Sequence, residues 1–288
     1  METSPTAEVK PQGERVGTWL ARSYLNLIGR GIIHVIRTIH GLGAFALITL
    51  GVTVTKFGQS TKVIHPLVLS QIQRAGLRLL PMVSFMAVAL GLVIIGQSVA
   101  LLNKYGAGAQ NYAGVIMVAV VVRELGPFVT ALLVLARVGT AIVIDLSTQR
   151  ALGEVEALEA LGIDPIHYLV VPRVWGLAAS IFSLTVYLII ISLVAGYIFA
   201  FVQDVPLKPG EYFDQLASSL IWEDFLLLGL KTFAFGIVIA IITCYQGLAH
   251  PVRLEDISNV TTNAVVESVM ACVLIDALFI IAYLVILR

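Results

Sequence analysis

Charge is what this sequence most lacks. Asp, Glu, Lys and Arg make up 12% of its 288 residues, 58% are hydrophobic, and the formal net charge is zero. A soluble domain carries about 25% charged residues, so a water-facing surface is largely missing. The zero balance also removes the basic footprint expected of a nucleic-acid binder. Cysteine is nearly absent: Cys244 and Cys272 both fall inside apolar runs and suggest neither a disulfide framework nor a metal site. Catalytic motifs are missing too. Gly58-Gln59-Ser60-Thr61-Lys62 is not a phosphate loop, and there is no G-x-S-x-G elbow, no H-E-x-x-H and no paired-cysteine motif. The chain has no pattern for hydrolysing ATP itself and no nucleophile or metal set for an intramembrane enzyme. No cleavable leader is expected, because the first apolar run follows a polar start and no small-residue cleavage pattern comes after it.

What the sequence does contain is long apolar runs, with a mean hydropathy of +0.95. About five runs supply the ~20 apolar residues a bilayer demands: 82–102, 113–146, 174–202, 225–248 and 260–287. Only helices satisfy their own backbone groups over such lengths in lipid. The fold class expected is therefore an all-α integral membrane protein of about five transmembrane helices over 81–288. Ahead of them, 1–14 is polar and reads as a disordered tail. Residues 15–80 read as interfacial helices. Arg15, Arg22, Arg30 and Arg37 recur every seven or eight residues, on one face of an amphipathic helix suited to an anionic membrane surface. The apolar run 41–54 is too short to span. The segment 67–79 places Gln71, Arg74 and Arg78 on one face and is bracketed by Pro66 and Pro81. Half of the Lys and Arg residues precede the first span, which predicts a cytoplasmic N-terminus. With five spans the C-terminus then lies outside, as does the acidic connection 203–224.

Two segments carry candidate chemistry. Arg123 and Glu124 put opposite charges inside an apolar run, directly before Gly126-Pro127. A charge at the bilayer centre costs about 2.5–3.5 kcal/mol on insertion scales, so such residues face a cavity or a partner. Pro127 lacks a backbone donor and Gly126 loosens the helix, so a break is expected there. In an unbroken helix Arg137 would share the face of Arg123. The second segment is 149–173. Ala151, Leu152, Val155, Leu158 and Leu161 recur at helical spacing, Glu154, Glu156 and Glu159 take the other faces, and Gly162 is placed to stop the helix. Asp164-Pro165 then reads as the cap and first turn of the next helix. A short acidic amphipathic helix between two spans, with no soluble domain to cover it, suits docking of a separate cytoplasmic protein. In the last run Glu267 and Asp276 lie nine residues apart and point to opposite sides; they are the candidates for a proton relay.

Arg123-Glu124-Leu125-Gly126-Pro127, then Ala136-Arg137-Val138-Gly139-Thr140-Ala141, Glu156-Ala157-Leu158-Glu159-Ala160-Leu161-Gly162-Ile163-Asp164-Pro165 and Val171-Pro172-Arg173 together resemble the MlaE/YrbE permease family. The likeness runs from about residue 67 to the end, with several separated motifs in the right order. Its members are membrane subunits of ABC transporters that work with MCE-domain proteins. The resemblance implies a homodimer in the bacterial inner membrane. It implies cytoplasmic ATPase subunits that bind ATP and Mg, so that no cofactor is held by this chain, and an MCE-domain protein on the outer face. Phospholipid or a similar lipid is the implied cargo. By position 151–162 would be the coupling helix. Val93, Ile94, Gln97 and Leu101, with Arg123 and Glu124, would line or flank a lipid cavity at the dimer axis. Asp145 stands where a glutamate is common in the family. A gradient-driven secondary transporter, using Glu267 or Asp276, is the alternative; it has no use for a docking helix.

Overall fold

The structure, a computed structural model, describes residues 40–53, 55, 61–105, 118–202, 209–249 and 253–286, and among these every regular element is helical. The tail over 1–14 and the basic segment over 15–37 lie outside the described residues. The chain divides into two compact units after Leu47. Of the first, only the start of α1 (His40–Thr53) is described, an apolar helix too short to cross a bilayer.

In the second unit α2 (Thr61–Ala75) leads through a tight turn (Leu77–Leu79) into α3 (Leu80–Tyr105). Then come α4 (Val118–Ala151), α5 (Glu154–Ala160), α6 (Ile166–Val202), α7 (Pro209–Ser219), α8 (Trp222–Leu248) and α9 (Ile257–Ile286). Five stretches are long and apolar enough to cross a membrane: His65–Ile94, Val118–Ala151, Ile166–Val202, Trp222–Leu248 and Leu254–Val285. The expected all-α membrane architecture stands, with the short apolar α1 ahead of the spans.

Boundaries differ in instructive ways. Pro66 does not bound α2 but lies inside it. It stands five residues after Thr61, the first described residue of the helix, and α2 ends six residues before Pro81, which lies in the first turn of α3. The third span starts at Ile166, well before 174. Its first turn is capped by Asp164, whose Oδ1 accepts the N–H of Ile166 at 3.1 Å. Pro127 does not break α4. The stretch Val118–Leu125 is wound as a π-helix and passes into α-helix at Gly126. A second π segment, Leu135–Gly139, follows, with the N–H of Thr140 on the carbonyl of Leu135. Wider turns of this kind recur at functional sites within helices.

α6 is the central element, packed against α2, α3, α4 and α8, while α8 also meets α4 and α9. Small residues let these helices approach closely, as membrane packing requires. Ser192 on α6 donates to the carbonyl of Ala87 on α3 at 2.8 Å. At Gly236 the backbone of α8 lies against Ala178 of α6, and a Cβ there would collide with Ala178 main-chain atoms. Gly236→Ala is expected to cost about 1–3 kcal/mol through overpacking. A lowered unfolding temperature in detergent checks this, with Gly210→Ala, which meets open space, as the unaffected control.

Candidate functional site

Arg123 and Glu124 sit near the end of α4 away from α5, in the π-wound stretch. Asp145 lies about 30 Å further along the same helix at 1.5 Å per residue, close to the ~30 Å thickness of a hydrocarbon core. The charges on α4 thus mark two levels, one at each side of an apolar band.

At the first level five ionisable side chains from three helices converge. Arg123 pairs with Asp224 at the start of α8, Nε to Oδ1 at 2.9 Å and Nη2 to Oδ2 at 3.0 Å. The same guanidinium reaches the carbonyl of Ser219 at 3.4 Å and lies 4.8 Å from the ring centre of Tyr283 on α9. Asp224 Oδ2 also accepts the N–H of Ile221 at 3.0 Å, so it caps α8 while holding Arg123. Lys231 Nζ contacts Glu124 at 2.9 Å and Asp276 at 2.7 Å. It donates as well to the carbonyl of Arg123 at 3.0 Å. In an α-helix that carbonyl would take the N–H of residue 127, which proline does not have. Lys231 therefore answers both the two carboxylates and a main-chain carbonyl in the turn before Pro127. Its side chain is only 5% exposed, so the network is the condition for burying it. A cavity of about 30 Å³ opens beside the network, lined by α4, α8 and α9.

The α3 residues do not join this cavity. Val93 and Gln97 lie on the exposed face of α3, one turn apart. Ile94 faces inward and packs with Val118, Val121 and Val122 of α4 and with Tyr212 and Leu216 of α7. The side chain of Leu101 lies outside the described residues. Arg137 does not share the surroundings of Arg123 either. The π turns shift the register of α4, and Arg137 lines a different cavity together with Asp145 and Arg173.

At the second level Asp145 pairs with Arg173 at the start of α6 and accepts Gln149 Nε2 at 3.2 Å. Beyond it, α4 continues to Ala151, so the short acidic helix expected over 151–162 begins later than 151. Gly153 takes φ +76°, and α5 is only seven residues long. Gly162, at φ +74°, ends it. The N–H of Ile163 bonds the carbonyl of Leu158 at 3.0 Å, and that of Gly162 bonds Glu159 at 2.9 Å, the paired closure of a helix ending on a left-handed residue. The expected stripe splits as a result. Val155 is buried and Leu158 half-buried, while Leu152 and Leu161 fall in the flanking turns and are 61% and 75% exposed. Glu154, Glu156 and Glu159 are exposed, with Glu156 reaching Arg150 at 3.4 Å.

Sequence reasoning passes over Lys231 and Asp224. The available signal is that Lys231 is a lone base in the apolar run 225–248, which by default marks a functional or paired position. Glu267 and Asp276 do not point to opposite sides. Both turn toward α8, Glu267 accepting Gln246 Nε2 at 2.6 Å and Asp276 meeting Lys231, because long side chains on α8 reach around the flank of α9.

Residues 68–282 match the family described as Permease MlaE. A probable ABC transporter permease protein of Rickettsia typhi is 30% identical over 247 residues, covering 84% of this chain and 91% of the relative. A probable ABC transporter permease of Synechocystis is 33% identical over 169 residues, 57% of this chain and 62% of the relative. The intermembrane phospholipid transport system permease protein MlaE of Haemophilus influenzae is 24% identical over 255 residues, 88% and 95% of the two chains. The motifs at Arg123–Pro127 and 156–165 lie within the matched region, as do the five spans for most of their length, and this chain belongs to the MlaE permease family.

Proposed function

We propose that this chain is the permease subunit of an ABC transporter that moves phospholipid, or a similar lipid, between the bacterial inner membrane and an MCE-domain protein on its outer face. ATP and Mg are bound by a separate cytoplasmic ATPase. The observation that carries this reading is α5. It is an acidic helix between two spans, flanked by exposed Leu152 and Leu161, in a chain with no phosphate loop of its own. The name of the Haemophilus influenzae relative supports phospholipid as cargo. The N-terminus is cytoplasmic and the C-terminus periplasmic, and two copies of the chain form the pathway. Val93, on an open face of α3, and Leu101 further along it supply apolar lining at the dimer axis, with Gln97 as a polar member on the same face and Ile94 behind them. Arg123 and Glu124 flank the outer end, where a charged headgroup would pass. Gradient-driven transport is less favoured, because Glu267 and Asp276 each already have a partner.

Purification of the tagged full chain from membranes in mild detergent, followed by mass spectrometry of what accompanies it, tests this reading. An ATPase, an MCE-domain protein and bound phospholipid are expected. Recovery of the chain alone, even after crosslinking, overturns the proposal in favour of the gradient-driven transporter.

A further inference from the structure

A second cavity, of about 290 Å³, lies between α2, α4 and α6 at the level of Asp145. Its polar wall is made by Gln71, Arg74 and Arg78 from α2 and the turn after it, Arg137 and Asp145 from α4, and Arg173 from α6. The single carboxylate is already engaged by Arg173 and Gln149. Among the described residues Arg74, Arg78 and Arg137 have no ion pair and no side-chain hydrogen bond. Three uncompensated guanidinium groups around one space repel each other, and the repulsion rises as the surroundings become less polar. An anion between them would turn that repulsion into attraction.

The cationic donors are all arginine, whose planar fork matches the oxygens of a phosphate. The remaining wall is apolar: Leu79, Val138, Ala141 and Ile142. A free inorganic anion has no use for those side chains, whereas the glycerol and first methylenes of a lipid do. The cavity is also far larger than a water site and close to the lower bound for small-molecule pockets, about 300 Å³. Basic pockets between membrane helices are known to hold anionic headgroups.

We infer that this cavity is a binding site for the phosphate of an anionic phospholipid headgroup, distinct from the charged network at the other end of α4. The inference does not rest on the transport reading, since binding is measured without turnover or partner proteins.

The test uses the full chain, delipidated in a neutral detergent. It is titrated calorimetrically with short-chain phosphatidylglycerol, short-chain phosphatidylcholine or inorganic phosphate. Phosphatidylglycerol is expected to bind more tightly than phosphatidylcholine. Arg74→Gln combined with Arg78→Gln is expected to weaken phosphatidylglycerol by about thirtyfold, at roughly fivefold for each base near a membrane surface. Phosphatidylcholine, whose choline offsets the charge of the same phosphate, is expected to lose less, so that the preference for phosphatidylglycerol shrinks. Both arginines are exposed, so the double variant keeps the fold, and Arg137→Gln gives an independent loss in the same direction. Unchanged phosphatidylglycerol affinity in both variants overturns the site. Equal binding of inorganic phosphate, or its full competition with the lipid, overturns the lipid as occupant and leaves a soluble anion.

Discussion

Lys231→Met is expected to be the most damaging single substitution on α8. It removes the cation shared by Glu124 and Asp276 and the hydrogen bond from that amine to the carbonyl of Arg123. Breaking a buried ion pair by deleting one partner costs about 3–5 kcal/mol, because the other charge stays buried and unmatched. That figure applies to the contact with Asp276, whose side chain is 21% exposed. Glu124 is 40% exposed and can recruit water, so its share is small. Loss of the hydrogen bond to the carbonyl adds about 0.5–1.5 kcal/mol. Thermal unfolding of the full chain in detergent reads the sum, and an unfolding temperature close to that of the parent would refute the pairing. Neutralising all three members together, Lys231→Met with Glu124→Gln and Asp276→Asn, is expected to recover most of the loss, leaving the carbonyl term. Lipid transport by this triple variant then separates two roles. Recovered stability without transport places the network in the mechanism. Recovery of both makes it a clamp for the helix ends.

The reasons why this network is only half legible in the sequence are physical. Arg123 and Glu124 stand out because charges inside an apolar run are costly. Asp276 and the lone base Lys231 are visible as charges in apolar runs, but which charges pair is not, since only packing brings α8 and α9 against α4. The spans themselves are legible from length and hydropathy alone. Their ends are not. α6 begins at Ile166 because polar residues in its first turns, such as Arg173, pair with Asp145 instead of meeting lipid. The effect of Pro127 was also hidden. A proline in a helix ordinarily means a kink or break, but a π-wound turn before it and an amine across from it absorb the defect. The short helix between the second and third spans is legible in its position and in its stop at Gly162. Gly153 was missed, and the stripe read across it assumed one continuous helical period where the backbone turns out of it.

That split stripe decides which substitution in the coupling segment is informative. Val155 is buried within this chain and Leu158 half-buried, so a charge at either position would disturb the fold as well as any partner contact. Leu161 is 75% exposed in the turn that closes α5, and Leu161→Asp leaves every internal contact of Val155 in place. On its own the variant is expected to fold and insert at parental levels. Against a docked ATPase it would press an unpaired carboxylate into an apolar contact, at a cost of several kcal/mol. That corresponds to a loss of about a hundredfold or more in affinity. Recovery of the ATPase with the tagged chain is the direct readout, and lipid transport should fall with it. Reversing Glu154, Glu156 and Glu159 to lysine attacks the same surface by charge, and among the described residues it breaks only the exposed contact of Glu156 with Arg150. Parental transport in both variants, at parental protein levels, would mean that α5 touches no motor, and the ABC mechanism would lose the feature that carries it. Loss in both, with ATPase binding lost in parallel, fixes α5 as the place where hydrolysis in one protein becomes movement in another.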